Sequence, residues 1–459
     1  MLKKLVGDKA FYRRLFALML PILVQNGITN FVNMLDNVMI GRVGTAEMTG
    51  VAVTTQLIFV FNLCIFGAVS GAGIFGAQYY GKGDHQGLKY TFRFKMLFCG
   101  LLAVLGITLF ILFGEPLLNL YMQGEGGTTD PLVTLGYAKD YLAIMLVGLV
   151  PFAFVQCYSS TLRETGNPNL PMVAGLAAVL VNLVFNALLI FGLCGFPKLG
   201  VRGAAIATVL SRFVELAIVV FATHLNTKKY PFMKGALRSL YVPAGLALRF
   251  FVKGLPLLLN EAFWAMGLAV VNQSYSARGL DAMGAINISQ TFWNVFAIAY
   301  MAVGSSIGII LGQMLGAGQL KEAKQDSRKM IAFSAAVSVV VGVLYVVLAE
   351  FIPLVYNTTD EIRHMATRMM QISAIAMPFD AVVHASYFAM RSGGKMAITV
   401  LFDNGFMWGG NVLISFLLSR FTAIPILEMF AIIHAISLLK AAIGIWLVEK
   451  GSWVKNITN

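Results

Sequence analysis

Apolar runs decide what this chain can become. They fall at 14–38, 48–80, 94–117, 134–162, 169–194 and 203–224, and resume at 247–275, 283–316, 330–354, 366–390, 396–419 and 424–448. Each is long enough to cross a hydrocarbon layer about 30 Å thick. The runs are continuous, whereas barrel strands would alternate over about ten residues, so the pattern predicts helices. Twelve transmembrane helices are expected, in an all-α integral membrane protein. Composition excludes an ordinary soluble enzyme: 58% of the residues are hydrophobic and only 12% charged, against about a quarter charged in a soluble domain.

The net charge of +13 does not imply a nucleic-acid partner, because the basic residues are scattered between apolar runs. They follow membrane topology instead. With both termini cytoplasmic, the inner loops carry most of the 34 Lys and Arg, including Lys228, Lys229, Lys234 and Arg238 of the connector 225–246. Loop 118–131, with Glu125 and Asp130 but no Lys or Arg, is then outside. The basic start (Lys3, Lys4, Lys9, Arg13, Arg14) precedes no small-residue cleavage site and reads as the lead into a retained first helix in the cell membrane. Cys64, Cys99, Cys157 and Cys194 lie within or at the ends of apolar runs and read as packing residues.

The chain repeats itself. A shift of 235 residues carries Pro21, Gly44, Gly73, Gln78, Gly81 and Gly83 onto Pro256, Gly279, Gly308, Gln313, Gly316 and Gly318. A looser match pairs Leu162-Arg163 and Gly166 with Met390-Arg391 and Gly394. Two halves of six helices each therefore share one orientation, a transporter architecture with its path between the halves. The expected division is an N-lobe at 1–227, a linker at 228–246 and a C-lobe at 247–459. Gly304, Gly308, Gly312 and Gly316, and likewise Gly73, Ala77 and Gly81, are spaced four apart, as close helix packing in lipid requires.

Acids inside the apolar runs carry the functional information, since a charge at the bilayer centre costs about 2.5–3.5 kcal/mol even on insertion scales. Asp36, Glu215, Glu261, Asp380 and Asp403 are the informative ones within the predicted spans. Glu215, three residues after Arg212, reads as a structural ion pair, and Asp403 lies near the watery end of its helix. Asp36 lies beside a stripe of Asn26, Asn30, Asn33 and Asn37, which must face protein or water. Glu261 follows Pro256, and its repeat partner is Asn26, an amide. Asp380 follows Pro378 and shares a helix face with His384 and Tyr387. Desolvated carboxylates of this kind suit proton or sodium exchange, at Glu261, Asp380 or Asp36. Asn182 with Asn186, and Asn287 with Gln290 and Asn294, form amide faces that serve equally well as interhelical glue or cavity lining.

With these residues assembled, the chain resembles the multidrug and toxic compound extrusion (MATE) transporters over nearly its whole length. The resemblance rests on Pro21, Asn26 and Asp36-Asn-Val-Met-Ile-Gly41, on Gly76-Ala-Gln78 with Gly81 and Gly83, and on Leu162-Arg163 with Gly166. It continues through Gly200-Val-Arg-Gly203-Ala-Ala-Ile-Ala-Thr208, Pro256 with Glu261, and Pro378 with Asp380. It implies two six-helix lobes enclosing a central cavity. An intramembrane enzyme is not expected, because no His-Glu-x-x-His or nucleophile motif lies within the spans and there are only 5 His; nor is a cofactor or an obligate protein partner. The resemblance also implies efflux of cationic or amphipathic drug-like compounds against inward sodium or proton movement. By this resemblance Asp36 would act with Asn182, Asn186 and Thr208, and Glu261 with Asp380. Some branches have an aspartate at the position of Asn186 and a tyrosine at that of Ala376, so the ligand sets here differ, with His384 as a substitute in the second. A lipid-linked precursor flippase of the same superfamily is the alternative. Such flippases line the cavity with several cations, whereas the intramembrane cations here are mainly Arg212 and Lys440.

Overall fold

A computed structural model describes residues 5–122, 131–356 and 358–458. Among them the regular structure is entirely helical: α1 (Lys9–Gly41), α2 (Thr45–Lys82), α3 (His85–Met122), α4 (Pro131–Glu164), α5 (Asn169–Phe191), α6 (Val201–Leu225), α7 (Ala244–Ser276), α8 (Leu280–Gly316), α9 (Leu320–Ala349), α10 (Asp360–Ser392), α11 (Met396–Phe406), α12 (Leu413–Phe421) and α13 (Ile426–Lys450). Eleven are long and apolar enough to cross a membrane. The remaining span is α11 with α12, joined through a π-helical segment at Met407–Val412 that contains Gly409 and Gly410. Paired glycines lower helix propensity and let the ladder loosen there. Glu125, Asp130, Lys3 and Lys4 lie outside the described residues.

Most helices outrun their apolar runs, since helical ends continue into the headgroup layer. One run is shifted. The segment expected at 330–354 begins at Leu320, on a charged first turn, and ends at Ala349. Pro353 is the reason: it has no N–H to continue the ladder, and it sits in a 3₁₀ turn at Ile352–Val355. On α3, Leu101, Val104, Leu105, Ile111 and Leu112 are each more than half exposed, as a face turned to lipid should be.

The chain forms two compact units. The first comprises Val24–Gly76 and His85–Leu258. In it α6 packs on α4 and α5, and α3 on α4. Its core includes Phe61, Ile65, Cys99, Leu142, Leu149 and Cys157. The basic connector is folded down rather than loose. Arg93 donates to the carbonyls of Ala236 at 2.8 Å, Tyr241 at 3.1 Å and Gly235 at 3.2 Å, and Phe232 and Met233 are buried. All four cysteines are free, and one departs from the packing reading: Cys194 is exposed in a turn, with φ of 55°.

The second unit comprises Met1–Leu23, Ala77–Asp84 and Leu259–Asn459. Here α10 packs on α8, α9 and α13. The glycine row of α8 does what its spacing predicts. A Cβ on Gly304 would press on His384, one on Gly308 would meet Phe388 at 2.9 Å, and one on Gly312 would meet Ala77 at 2.9 Å. At the helix tips the approach is closer still: a Cβ on Gly81 would overlap the Gln313 carbonyl, and one on Gly316 the Gln78 carbonyl. Gln78 then holds the C-terminal segment, donating to the carbonyls of Ser392 (2.9 Å) and Lys455 (3.1 Å) and accepting from the Ile457 N–H at 2.8 Å. Its repeat partner Gln313 accepts from Arg14 at 3.1 Å.

The two tips offer no room for a methyl group. Gly81→Ala and Gly316→Ala should each destabilise the purified protein by about 1–3 kcal/mol, the usual cost of overpacking. Gly136→Ala, where a Cβ meets nothing within 4 Å, should be neutral or slightly stabilising. Thermal unfolding in detergent measures all three; a Gly81→Ala protein as stable as the parent would refute the close approach.

Candidate functional site

In the first unit α1, α5 and α6 bring four of the expected residues together. Asn186 Nδ2 donates to Asp36 Oδ1 at 2.6 Å. With the Asn182 amide turned so that its nitrogen faces the carboxylate, it donates to Asp36 at 3.0 and 3.2 Å, and its oxygen accepts from Thr208 Oγ1 at 3.2 Å. Asn186 Oδ1 is buried without a partner. Asp36 therefore sits in a cage of neutral groups and forms no ion pair among the described residues. A water-sized cavity of about 20 Å³ opens beside Thr208, lined by Asn62, Met145, Phe152 and Arg212. The asparagine stripe does not converge on Asp36. Asn30 turns back to the Asn26 carbonyl at 2.9 Å, Asn26 is half-buried at a different level, and the side chains of Asn33 and Asn37 lie outside the described residues. The neighbour of Asn26, Gln25, is the engaged residue, accepting from Arg163 Nη2 at 2.6 Å.

In the second unit the expected residues are dispersed along α7, α8 and α10. Asp380 accepts from Ser437 Oγ of α13 at 2.6 Å. One turn further along α13, Lys440 pairs with Asp403 at 2.8 Å, and Asn260 donates to the other Asp403 oxygen at 2.9 Å. Glu261, half-buried on α7, makes no hydrogen bond or ion pair among the described residues and lies within electrostatic reach of Arg391 and Asp403. Glu261 and Asp380 are thus not joined to each other. His384 is packed rather than ligating: its ring lies against Gly304, 5.0 Å from Phe388 and 5.9 Å from Tyr300. Tyr387 is buried and its hydroxyl has no partner. Gln290 is half-buried on α8, and Asn287 and Asn294 are exposed.

Three polar features escaped the sequence reading. Lys95 donates to both oxygens of Glu164, at 2.6 and 2.7 Å, with side-chain exposures of 0% and 6%. Gly73 and Gly76 make room for that carboxylate, which adjoins the repeated Leu162-Arg163 string and was legible only from there. The Asp403–Lys440 pair joins two runs separated by a loop, so no helical spacing announces it. Arg163, matched by the repeat to Arg391, is a polar anchor at the end of α4, donating to Gln25. By contrast, the Arg212–Glu215 pair expected from its i,i+3 spacing is present at 3.6 Å.

These acids fall into two classes. Glu164, Glu215 and Asp403 have basic partners, whereas Asp36, Glu261 and Asp380 have none among the described residues.

Comparison with known proteins agrees with this architecture. The profile of the MatE family matches residues 21–188 and 256–417, one match in each repeat half. A Thermotoga maritima relative, the probable multidrug resistance protein NorM, is 22% identical over 446 residues, covering 96% of this chain and 93% of its own. The Bacillus subtilis probable multidrug resistance protein YoeA is 25% identical over 426 residues, covering 91% and 89%. The fold is that of the Vibrio cholerae MATE transporter VcmN, with a TM-score of 0.84 at 18% identity over 96% of both chains. It matches a MOP-superfamily transporter from Pyrococcus furiosus equally well, with a TM-score of 0.85 at 16% identity over 98% and 97%. Such proteins move solutes across membranes and are not enzymes, and the chain belongs to the MATE family of multidrug efflux transporters.

Proposed function

We propose that this protein exports cationic or amphipathic drug-like compounds across the cell membrane in exchange for inward-moving sodium or protons. One observation carries the reading: of the five acids singled out within the apolar runs, Glu215 and Asp403 have basic partners, and Asp36, Glu261 and Asp380 have none among the described residues. A half-buried carboxylate in that condition is relieved by a proton, a cation or a cationic solute. Competition among these for one group makes exchange obligatory, because each ligand favours a different state. In the N-lobe (1–227) Asp36 would act with Asn182, Asn186 and Thr208, whose oxygens suit a hard cation. In the C-lobe (247–459), beyond the linker 228–246, Glu261 and Asp380 would act as two separate acceptors, with Gln290, His384 and Tyr387 as lining, while Asn26 would line the N-lobe. The coupling ion is substrate here, and no resident cofactor is needed.

Charge asymmetry supports a topology with both termini in the cytoplasm. A thiol at exposed Ser239 should then react with an impermeant maleimide only after permeabilisation, while native Cys194, exposed in the α5–α6 turn, reacts in intact cells and serves as the control. Labelling of Ser239→Cys from outside would invert the topology.

Dye efflux from proteoliposomes, with sodium and proton gradients imposed separately, tests the coupling. Glu261→Gln, Asp380→Asn and Asp36→Asn should each reduce gradient-driven efflux at least about tenfold without lowering thermal stability, since no ion pair is broken. Full gradient-driven efflux in all three variants would end the proposal; full efflux in Glu261→Gln alone would move coupling to Asp36.

A further inference from the structure

The repeat supplies an internal comparison for one buried arginine. Arg163 and Arg391 occupy matching positions near the ends of α4 and α10. Arg163 is well served: its Nη2 donates to Gln25 at 2.6 Å, and Glu215 and Glu164 lie within electrostatic reach. Arg391 has lost both kinds of support. The 235-residue shift carries Gln25 onto Asn260, whose nitrogen is committed to Asp403 at 2.9 Å and whose oxygen accepts from Asn404 at 2.7 Å. The last helices of the halves, α6 and α13, have 25 residues each, and their register sets Lys440 where the first half has Glu215.

The result is an uncommitted cation. Arg391 is 6% exposed and forms no ion pair among the described residues. Its guanidinium lies 5.3 Å from the Phe388 ring and 5.9 Å from the Tyr387 ring. Arg391 Nη1 and Tyr387 Oη are both buried, face one another, and have no hydrogen-bond partner from any other residue. Of the neighbouring acids, Asp403 is occupied by Lys440 and Asn260, and Glu261 does not reach the guanidinium. Two unfilled donors, one of them charged, call for an acceptor carrying negative charge.

We propose that Arg391 Nη1 and Tyr387 Oη form a subsite for a monoanion, either chloride or the carboxylate of an organic solute. The rings of Phe388 and Tyr387 flank the guanidinium and shield it from water. With Glu261 nearby, the same region could hold both ends of a zwitterion. The subsite does not depend on how efflux is coupled.

Equilibrium binding of radiolabelled benzoate to the full-length protein, in chloride-free gluconate buffer and without any gradient, tests this. One saturable site is expected. Arg391→Gln should weaken it at least about tenfold and Tyr387→Phe about threefold, as loss of a charged and a neutral hydrogen bond requires. Lys198→Gln, which removes an exposed cation in the other unit, should leave it unchanged. Displacement of benzoate by chloride identifies a halide site; indifference to chloride identifies an organic carboxylate site. Absence of saturable binding, or equal binding by Arg391→Gln and Tyr387→Phe, overturns the proposal. If Arg391→Gln fails to fold, Tyr387→Phe, which removes a single oxygen, decides. Because no gradient is used, failure here leaves the coupling proposal standing, and failed coupling leaves this one standing.

Discussion

Hydrocarbon cannot accept or donate a hydrogen bond, and the rest of this structure is organised around that fact. Every span satisfies its own backbone as a helix, and each polar side chain must find its partner in protein. Lys95 and Glu164 show the constraint met in full: two charges, almost wholly buried, close on one another and on the Ser160 and Thr161 hydroxyls. Removing one partner of such a pair typically costs about 3–5 kcal/mol. Against that standard Asp36, Glu261 and Asp380 stand out. Each is held by neutral groups or by none, so each is kept at a cost to stability that pairing would have removed.

Close approach of helices is the second consequence. Apolar packing gives no preference for one helix over another in lipid, so backbones must come near enough for dispersion and carbonyl contacts to discriminate. Gly81 and Gly316 do this reciprocally, each tip seated on the carbonyl of the other half's glutamine. The two glutamines are then held from opposite ends of the chain, Gln78 by the C-terminal segment and Gln313 by Arg14 of α1. Trp453, 1% exposed and donating to the Val448 carbonyl at 3.0 Å, fastens the same segment to the end of α13.

These two constraints explain what could be read from the sequence. Spans, repeat and packing glycines were legible because each is a periodic or local pattern: a run of apolar residues, a fixed offset, a four-residue step. Pairing within one helix, as at Arg212 and Glu215, was legible for the same reason. Partnerships between helices were not. Nothing local in Asp403 points to Lys440, and nothing in Asp380 points to Ser437 rather than Glu261. The asparagine stripe misled in part, because an amide on a helix face can turn back to its own backbone, as Asn30 does. The π segment at Met407–Val412 was also hidden, since its apolar content matches that of an ordinary helix.

The halves share a scaffold and differ in their lining, and physics accounts for the contrast. A glycine at a helix crossing or a proline within a span has no substitute that preserves backbone geometry, so Pro21 and Pro256, or Gly81 and Gly316, match across the repeat. Lining positions are bounded only by the requirement that polar groups be satisfied, and many sets meet it. Gln25 and Asn26 become Asn260 and Glu261; Glu215 becomes Lys440. Each change redistributes acceptors. Lys440 draws Asp403 to itself, Asp403 draws Asn260, and Arg391 is left without the amide that its counterpart Arg163 enjoys. One charge exchanged on the last helix thus propagates through three side chains to the far side of the bundle. The second half thus holds an unpaired acid and an unpaired base near one another, where the first sets Arg163 against Gln25, without any change in the fold.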